Sequence, residues 1–176
     1  IDFEKVMREN DIPLFAFECC DAVKAFDFVG FTLQYELSYT NILTMLDLAK
    51  IPLKCCERTD TDPIVVAGGP CACNAEPLAD FIDIFFLGEG EQVDLEVIDL
   101  YKKCKSEGYS RKDFLQKASQ ISGVYVPSLY DVAYNADGTI KEISARNGAP
   151  EKIQKRIEPD LDKTYYPDRF VVPYIE

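Results

Sequence analysis

Short apolar runs that stop at glycine alternate along this chain with stretches of helical periodicity. Ile64-Val65-Val66-Ala67 ends at Gly68-Gly69-Pro70, and Ile84-Phe85-Phe86-Leu87 ends at Gly88-Glu89-Gly90-Glu91. Strands covered on both faces read as continuous hydrophobic runs, so both segments predict buried parallel strands. Phe26–Leu33, with Gly30 inside it, predicts a third, and Leu14–Glu18 after Pro13 a short fourth. Between them lie amphipathic helices. The first carries Tyr39, Ile42, Leu43, Leu46 and Ala49 on one face, begins where Ser38 can cap it and stops before Pro52. Glu76–Phe81 predicts a short helix with Pro77 in its first turn, and a longer one carries Val93, Val97, Leu100, Tyr101 and Cys104. Strand and helix in alternation imply an α/β fold, an open, mostly parallel sheet with flanking helices of the Rossmann or flavodoxin type.

The pattern changes after Gly108. Arg111–Gln120 predicts a helix and Gly123–Pro127 a short extended piece. Tyr130–Tyr134 and Thr139–Ile143 flank Asn135-Ala136-Asp137-Gly138, a hairpin signal with a loop longer than two residues. From Asn147 the chain is charged and proline-punctuated, as a linker is, although Phe170–Ile175 is too apolar for a free tail. The expected division is an α/β domain over 1–122, a C-terminal β-hairpin appendage over 123–146 and a linker over 147–176.

In open α/β sheets, ligands bind beyond the carboxyl ends of the strands. Three turns are expected on that rim. Gly68, Gly69 and Pro70 leave room for a flat ligand against bare backbone, or simply turn the chain. Gly88, Glu89, Gly90 and Glu91 line a crevice or make a tight entry into the next helix, where acidic residues suit the N-terminus. Gln34, Tyr35, Glu36 and Ser38 follow the first long strand and supply polar contacts, or Ser38 only caps. Carboxylates in the Gly88–Glu91 turn repel phosphate, and Gly-x-Gly-x-x-Gly is absent, which argues against dinucleotide binding.

Composition removes other chemistries. With 31 acidic against 19 basic residues the net charge is −12, which opposes nucleic acid and anionic membranes. No apolar run approaches the ~20 residues of a membrane span. The absence of histidine removes the commonest general base and metal ligand. Seven cysteines, odd in number and without Cys-x-x-Cys, read as reduced thiols in the cytoplasm. No catalytic residue and no metal ligand set is identified.

Phe26–Gln34, Val66–Pro70, Pro77–Asp83 and Leu87–Glu91, in this order, resemble the cobalamin-binding-type domain that precedes a radical S-adenosylmethionine (SAM) core in a large family of uncharacterised bacterial proteins. Gly123–Pro127 and Tyr166–Glu176 continue the resemblance. It implies an internal fragment, truncated at its N-terminus, of a longer iron–sulfur enzyme. In the family a Cys-x3-Cys-x2-Cys loop binds a four-iron, four-sulfur cluster with SAM. That loop is expected beyond Glu176, and the first strand of the domain before Ile1. The implied role is an accessory domain, not catalytic itself, that positions substrate or a corrinoid against its own radical SAM domain. The alternative is a module that packs against that domain or another protein and binds no ligand. Cobalamin would have to be held without an axial histidine, since this chain has none.

Overall fold

The computed structural model describes residues 2–164. Its centre is a four-stranded sheet of β1 (Phe28–Thr32), β2 (Ile64–Gly68), β3 (Ile84–Phe86) and β4 (Val124–Tyr125), in that spatial order. β1, β2 and β3 are parallel, with Thr32 level with Gly68 and Ala67 level with Phe85. β4 pairs antiparallel with β3 through Phe85–Tyr125 and Phe86–Val124. The α/β expectation with a mostly parallel sheet therefore holds.

The unbroken apolar runs follow from burial on both faces. Val65, Ala67 and Phe85 face α2 (Tyr39–Leu48), where Leu33, Ile42, Leu46, Ala49, Leu78 and Ile82 complete a core. Ile64 and Ile84 face α3 (Val93–Glu107) and α4 (Arg111–Ala118), with Val97, Cys104, Phe114 and Val124. α3 ends at Gly108, whose φ of +74° is the left-handed conformation that closes helices. α4 opens with a reciprocal cap between Ser110 and Asp113. The helix α1 (Asp2–Glu9) inserts Met7 beside α2. β5 (Tyr130–Tyr134) and β6 (Ile140–Ala145) form the expected hairpin, closed by Asn135 N–H to the Thr139 carbonyl at 2.8 Å.

Several local expectations change. Leu14–Glu18 is not a strand: Phe15 makes one isolated antiparallel bridge to Ala22, because the chain reverses after four residues. Glu76–Phe81 is a 3-10 turn over Glu76–Leu78, too short for an α-helical turn to propagate. Ser38 caps nothing: its hydroxyl donates to the Tyr35 carbonyl at 2.7 Å, and its backbone is already helical. Val124–Tyr125, which the sequence groups with the hairpin, belongs to the main sheet. Phe170–Ile175 lies outside the described residues.

Candidate functional site on the C-terminal rim

Parallel pairing puts the carboxyl ends of β1, β2 and β3 on one rim, so the turns after Thr32, Gly68 and Phe86 share it. The first two are laced together. Leu33 N–H donates to the Gly68 carbonyl at 2.7 Å, and Cys71 N–H donates back to the Leu33 carbonyl at 3.0 Å. Gly69 has φ +99°, and a Cβ there would lie 3.0 Å from Leu33 O and 3.1 Å from Leu33 N. Glycine is needed at this point because Leu33 backbone passes through the space a side chain would take. Pro70 starts a 3-10 turn to Cys73, and the Tyr39 hydroxyl reaches the Cys71 carbonyl at 3.4 Å. Gln34, Tyr35, Glu36 and Leu37 stand exposed above this seam, Leu37 at 76%.

The third turn is covered by the chain itself. Gly88 has φ +116° and forms a parallel bridge with Arg156. A Cβ on Gly88 would sit 2.1 Å from Arg156 O, and one on Gly123 2.7 Å from Arg156 Cβ. Arg156 N–H donates to Leu87 O at 2.7 Å and Glu89 N–H to Arg156 O at 3.2 Å. The Arg156 guanidinium clasps Glu96 at 2.5 Å, and Glu158 N–H donates to the Glu89 carboxylate. Glu89 is thus a backbone acceptor for this strap. Gly90 and Glu91 line an open cleft of about 500 Å³ with Asp94 and Leu95. Burial, and then the charge of Glu91, push the Asp94 carboxyl above its usual range.

Among the described residues, the hydrogen bonds of the rim join no thiol or hydroxyl to a lysine or histidine base. Burial pushes the Cys71 thiol up, and Glu36, by charge and hydrogen bond, adds to this. At the opposite end of the sheet, beside Asp83 and Arg58, Cys55 is pushed up to about 12, first by burial and then by Asp83. Thiols held in that direction are poor nucleophiles and poor ligands. Among the described residues, no three Cys, Asp or Glu side chains come together as a metal site. These residues do not fit an iron–sulfur cluster, which needs three or four converging thiolates.

One polar constellation had not been read from the sequence. Asp83, 1% exposed at its side chain, accepts from Arg58 Nη1 at 2.8 Å, Arg111 Nη2 at 2.6 Å and Val65 N–H at 2.8 Å, all on Oδ2. Arg58 also donates to the carbonyls of Pro52, Leu53 and Phe81. The signal was available: Asp83 interrupts Phe81-Ile82-Asp83-Ile84-Phe85-Phe86, and a charge inside an apolar run demands a buried partner. The network lies at the opposite, N-terminal rim, beside a cleft of about 360 Å³. Two pairs of charges there are matched in place, Lys24 with Asp62 and Lys105 with Asp27, and Asp60 accepts from the Arg111 backbone N–H at 2.7 Å. No helix among the described residues is long and apolar enough to cross a membrane.

An uncharacterized protein, MJ0966, of Methanocaldococcus jannaschii is 28% identical over 174 residues, covering 93% of this chain. The chain spans 36% of that relative's length. No solved structure matches. The family described as "Radical SAM proteins, N-terminal" matches residues 1–127, which end just after β4 and so enclose the whole parallel sheet. The chain belongs to this family of radical SAM N-terminal domains.

Proposed function

We propose that this is the accessory domain of a radical SAM iron–sulfur enzyme. It does no chemistry alone, and it packs its C-terminal rim against the rest of the protein. The cluster and SAM belong to that remainder, where they supply the radical. The observation that carries the reading is the state of the rim. The glycine surfaces that a flat ligand would need are filled at Gly69 by Leu33 and at Gly88 by Arg156, while Tyr35 and Leu37 protrude unpacked. Exposed large apolar side chains beside polar neighbours mark an interaction surface more than a small-molecule cavity. Any substrate crevice then forms at the seam, with Gln34, Glu36 and the cleft beside Gly90 and Asp94 as one wall.

A corrinoid held by this domain alone is the competing reading. Its support is the open cleft at Gly90 and Glu91, next to the turn the sequence singled out. Titration of the chain with hydroxocobalamin, followed by visible absorbance after gel filtration, separates the two. Packing predicts an unchanged spectrum and no retained pigment, and retained pigment overturns it. In the full-length protein, Leu37→Asp is expected to expose the interdomain seam to limited proteolysis without unfolding the sheet. An unchanged digestion pattern refutes rim packing.

A further inference from the structure

The cleft of about 360 Å³ at the N-terminal rim lies at the end of the sheet away from the rim proposed for packing. Its walls come from the loops before β1 and β2, from α3 and from the start of α4. The volume is at the small end of ligand pockets, roughly 300–1,000 Å³, and admits one ring system. Phe26 and Tyr109, 40% and 43% exposed, supply aromatic surface. Charges of both signs line it in equal number, Lys24, Lys105 and Arg111 against Asp27, Asp60 and Asp62. This balance is local, since the whole chain stands at −12.

The pairs within the cleft leave hydrogen-bonding capacity of both kinds unused. An ammonium has three N–H donors. Lys105 spends one on Asp27 Oδ1 at 2.5 Å, and Lys24 spends two, on Asp62 at 3.1 Å and on the Lys50 carbonyl at 3.1 Å. Tyr101 donates to the same Asp27 Oδ1 at 2.9 Å, so Asp27 Oδ2 accepts nothing among the described residues. Lys105, and then Tyr101, hold that carboxyl below its usual range, which keeps it ionised. Asp60 takes the Arg111 backbone N–H on Oδ1 and, among the described residues, pairs with no side-chain cation. Arg111 and Arg58 share the single carboxylate of Asp83, which leaves one positive charge in excess, and Arg111 Nε has no partner among the described residues. We propose that this cleft binds a small zwitterion bearing one flat apolar group, the chemical class of an aromatic amino acid. Its carboxylate takes the spare donors of Lys105 and Lys24, its ammonium meets Asp60, and its ring lies against Phe26 and Tyr109. A simple anion is repelled by three carboxylates and by the net charge of the chain, and a simple cation by Lys24, Lys105 and Arg111. A zwitterion answers both.

The test titrates the isotope-labelled chain with L-phenylalanine and follows amide chemical shifts. Phenethylamine and hydrocinnamate serve as probes that keep one charge each. The expected result is saturable shifts at Asp27, Asp60 and Lys105 in the millimolar range. Each singly charged probe should bind about tenfold more weakly, the factor for one charge-assisted hydrogen bond. Asp60→Asn is expected to weaken L-phenylalanine about tenfold and leave hydrocinnamate unchanged. Lys105→Gln should weaken L-phenylalanine about as much and leave phenethylamine unchanged. Unmoved amides at Ile84–Phe86 show that each variant is folded. Absent or unsaturated shifts with L-phenylalanine overturn the proposal. So does a singly charged probe that binds as tightly, and so do folded variants that both bind L-phenylalanine as the natural chain does. Each of these results leaves the packing of the C-terminal rim untouched.

Discussion

Asp83→Asn removes one charge and almost no volume, so its cost isolates what the buried carboxylate does. In the native fold Oδ2 takes two guanidinium N–H groups and the Val65 N–H, with the Arg58 and Asp83 side chains 0% and 1% exposed. Hydrogen bonds to a charged partner are worth about 1.5–3 kcal/mol each and neutral ones about 0.5–1.5. An asparagine oxygen turned toward the same donors keeps the three bonds, but the Val65 N–H bond becomes a neutral one, at a loss of about 1–1.5 kcal/mol, and the two guanidiniums lose the carboxylate charge that balances them, at about as much again. The amide also brings an NH₂ group toward Oδ1, which has no partner among the described residues. The expected loss is therefore about 2–3 kcal/mol, or roughly 4–12 °C in Tm at this size. Asp83→Ala leaves two guanidiniums facing a void and costs more, about 3–5 kcal/mol. The assay is urea unfolding of the chain by far-UV circular dichroism, with exposed Asp80→Asn as the neutral control. Asp83→Asn within about 0.5 kcal/mol of the natural chain would refute the argument, since the two arginines would then be satisfied by the carbonyls of Pro52, Leu53, Asp62, Pro63 and Phe81 alone.

Other tests address separate elements. Gly69→Ala should cost about 3 kcal/mol, and Gly108→Ala about 1, in the same urea assay. Both have positive φ, but only Gly69 also meets Leu33 backbone at 3.0 Å, whereas nothing lies within 4 Å at Gly108. Iodoacetamide at pH 8.5, read by peptide mass spectrometry, should label exposed Cys19, Cys20, Cys56 and Cys73 well before Cys55, whose thiol stays protonated with a pKa of about 12, and before buried Cys104. Ser110→Ala should destabilise by about 1 kcal/mol at pH 7 by removing the α4 cap. The Ser110 hydroxyl, and then its backbone N–H, hold the Asp113 carboxyl below its usual range. A depressed carboxyl stabilises above its unfolded pKa, and the contribution fades as pH falls through the folded value. The Ser110→Ala deficit should therefore narrow below about pH 4; a constant deficit to pH 2 would show that Asp113 does not take part.

What the sequence revealed and what it hid divide along a physical line. β2 and β3 were legible because both of their faces are covered, which leaves a composition signal in consecutive residues: Ile64 and Ile84 point to α3 and α4, Val65 and Phe85 to α2. The rim turns were legible because glycine is a local signature of an unusual backbone, and Gly69 and Gly88 do have positive φ. The reason for each glycine was not legible. Leu33 lies 36 residues before Gly69 and Arg156 lies 68 after Gly88, and Arg156 sits in a charged, proline-rich stretch with every mark of a solvated linker. β4 is two residues long and carries no period at all. Arg58 illustrates the same limit from the polar side. In Glu57–Asp62 it looks like one more surface charge, and only the fold brings it under Phe81 and against Asp83, 25 positions on. Local pattern thus identifies where the backbone must be special, and long-range contact decides what it is special for. That is why the Gly88 turn reads in sequence as an opening for a ligand and in three dimensions as the seat of the chain's own strap.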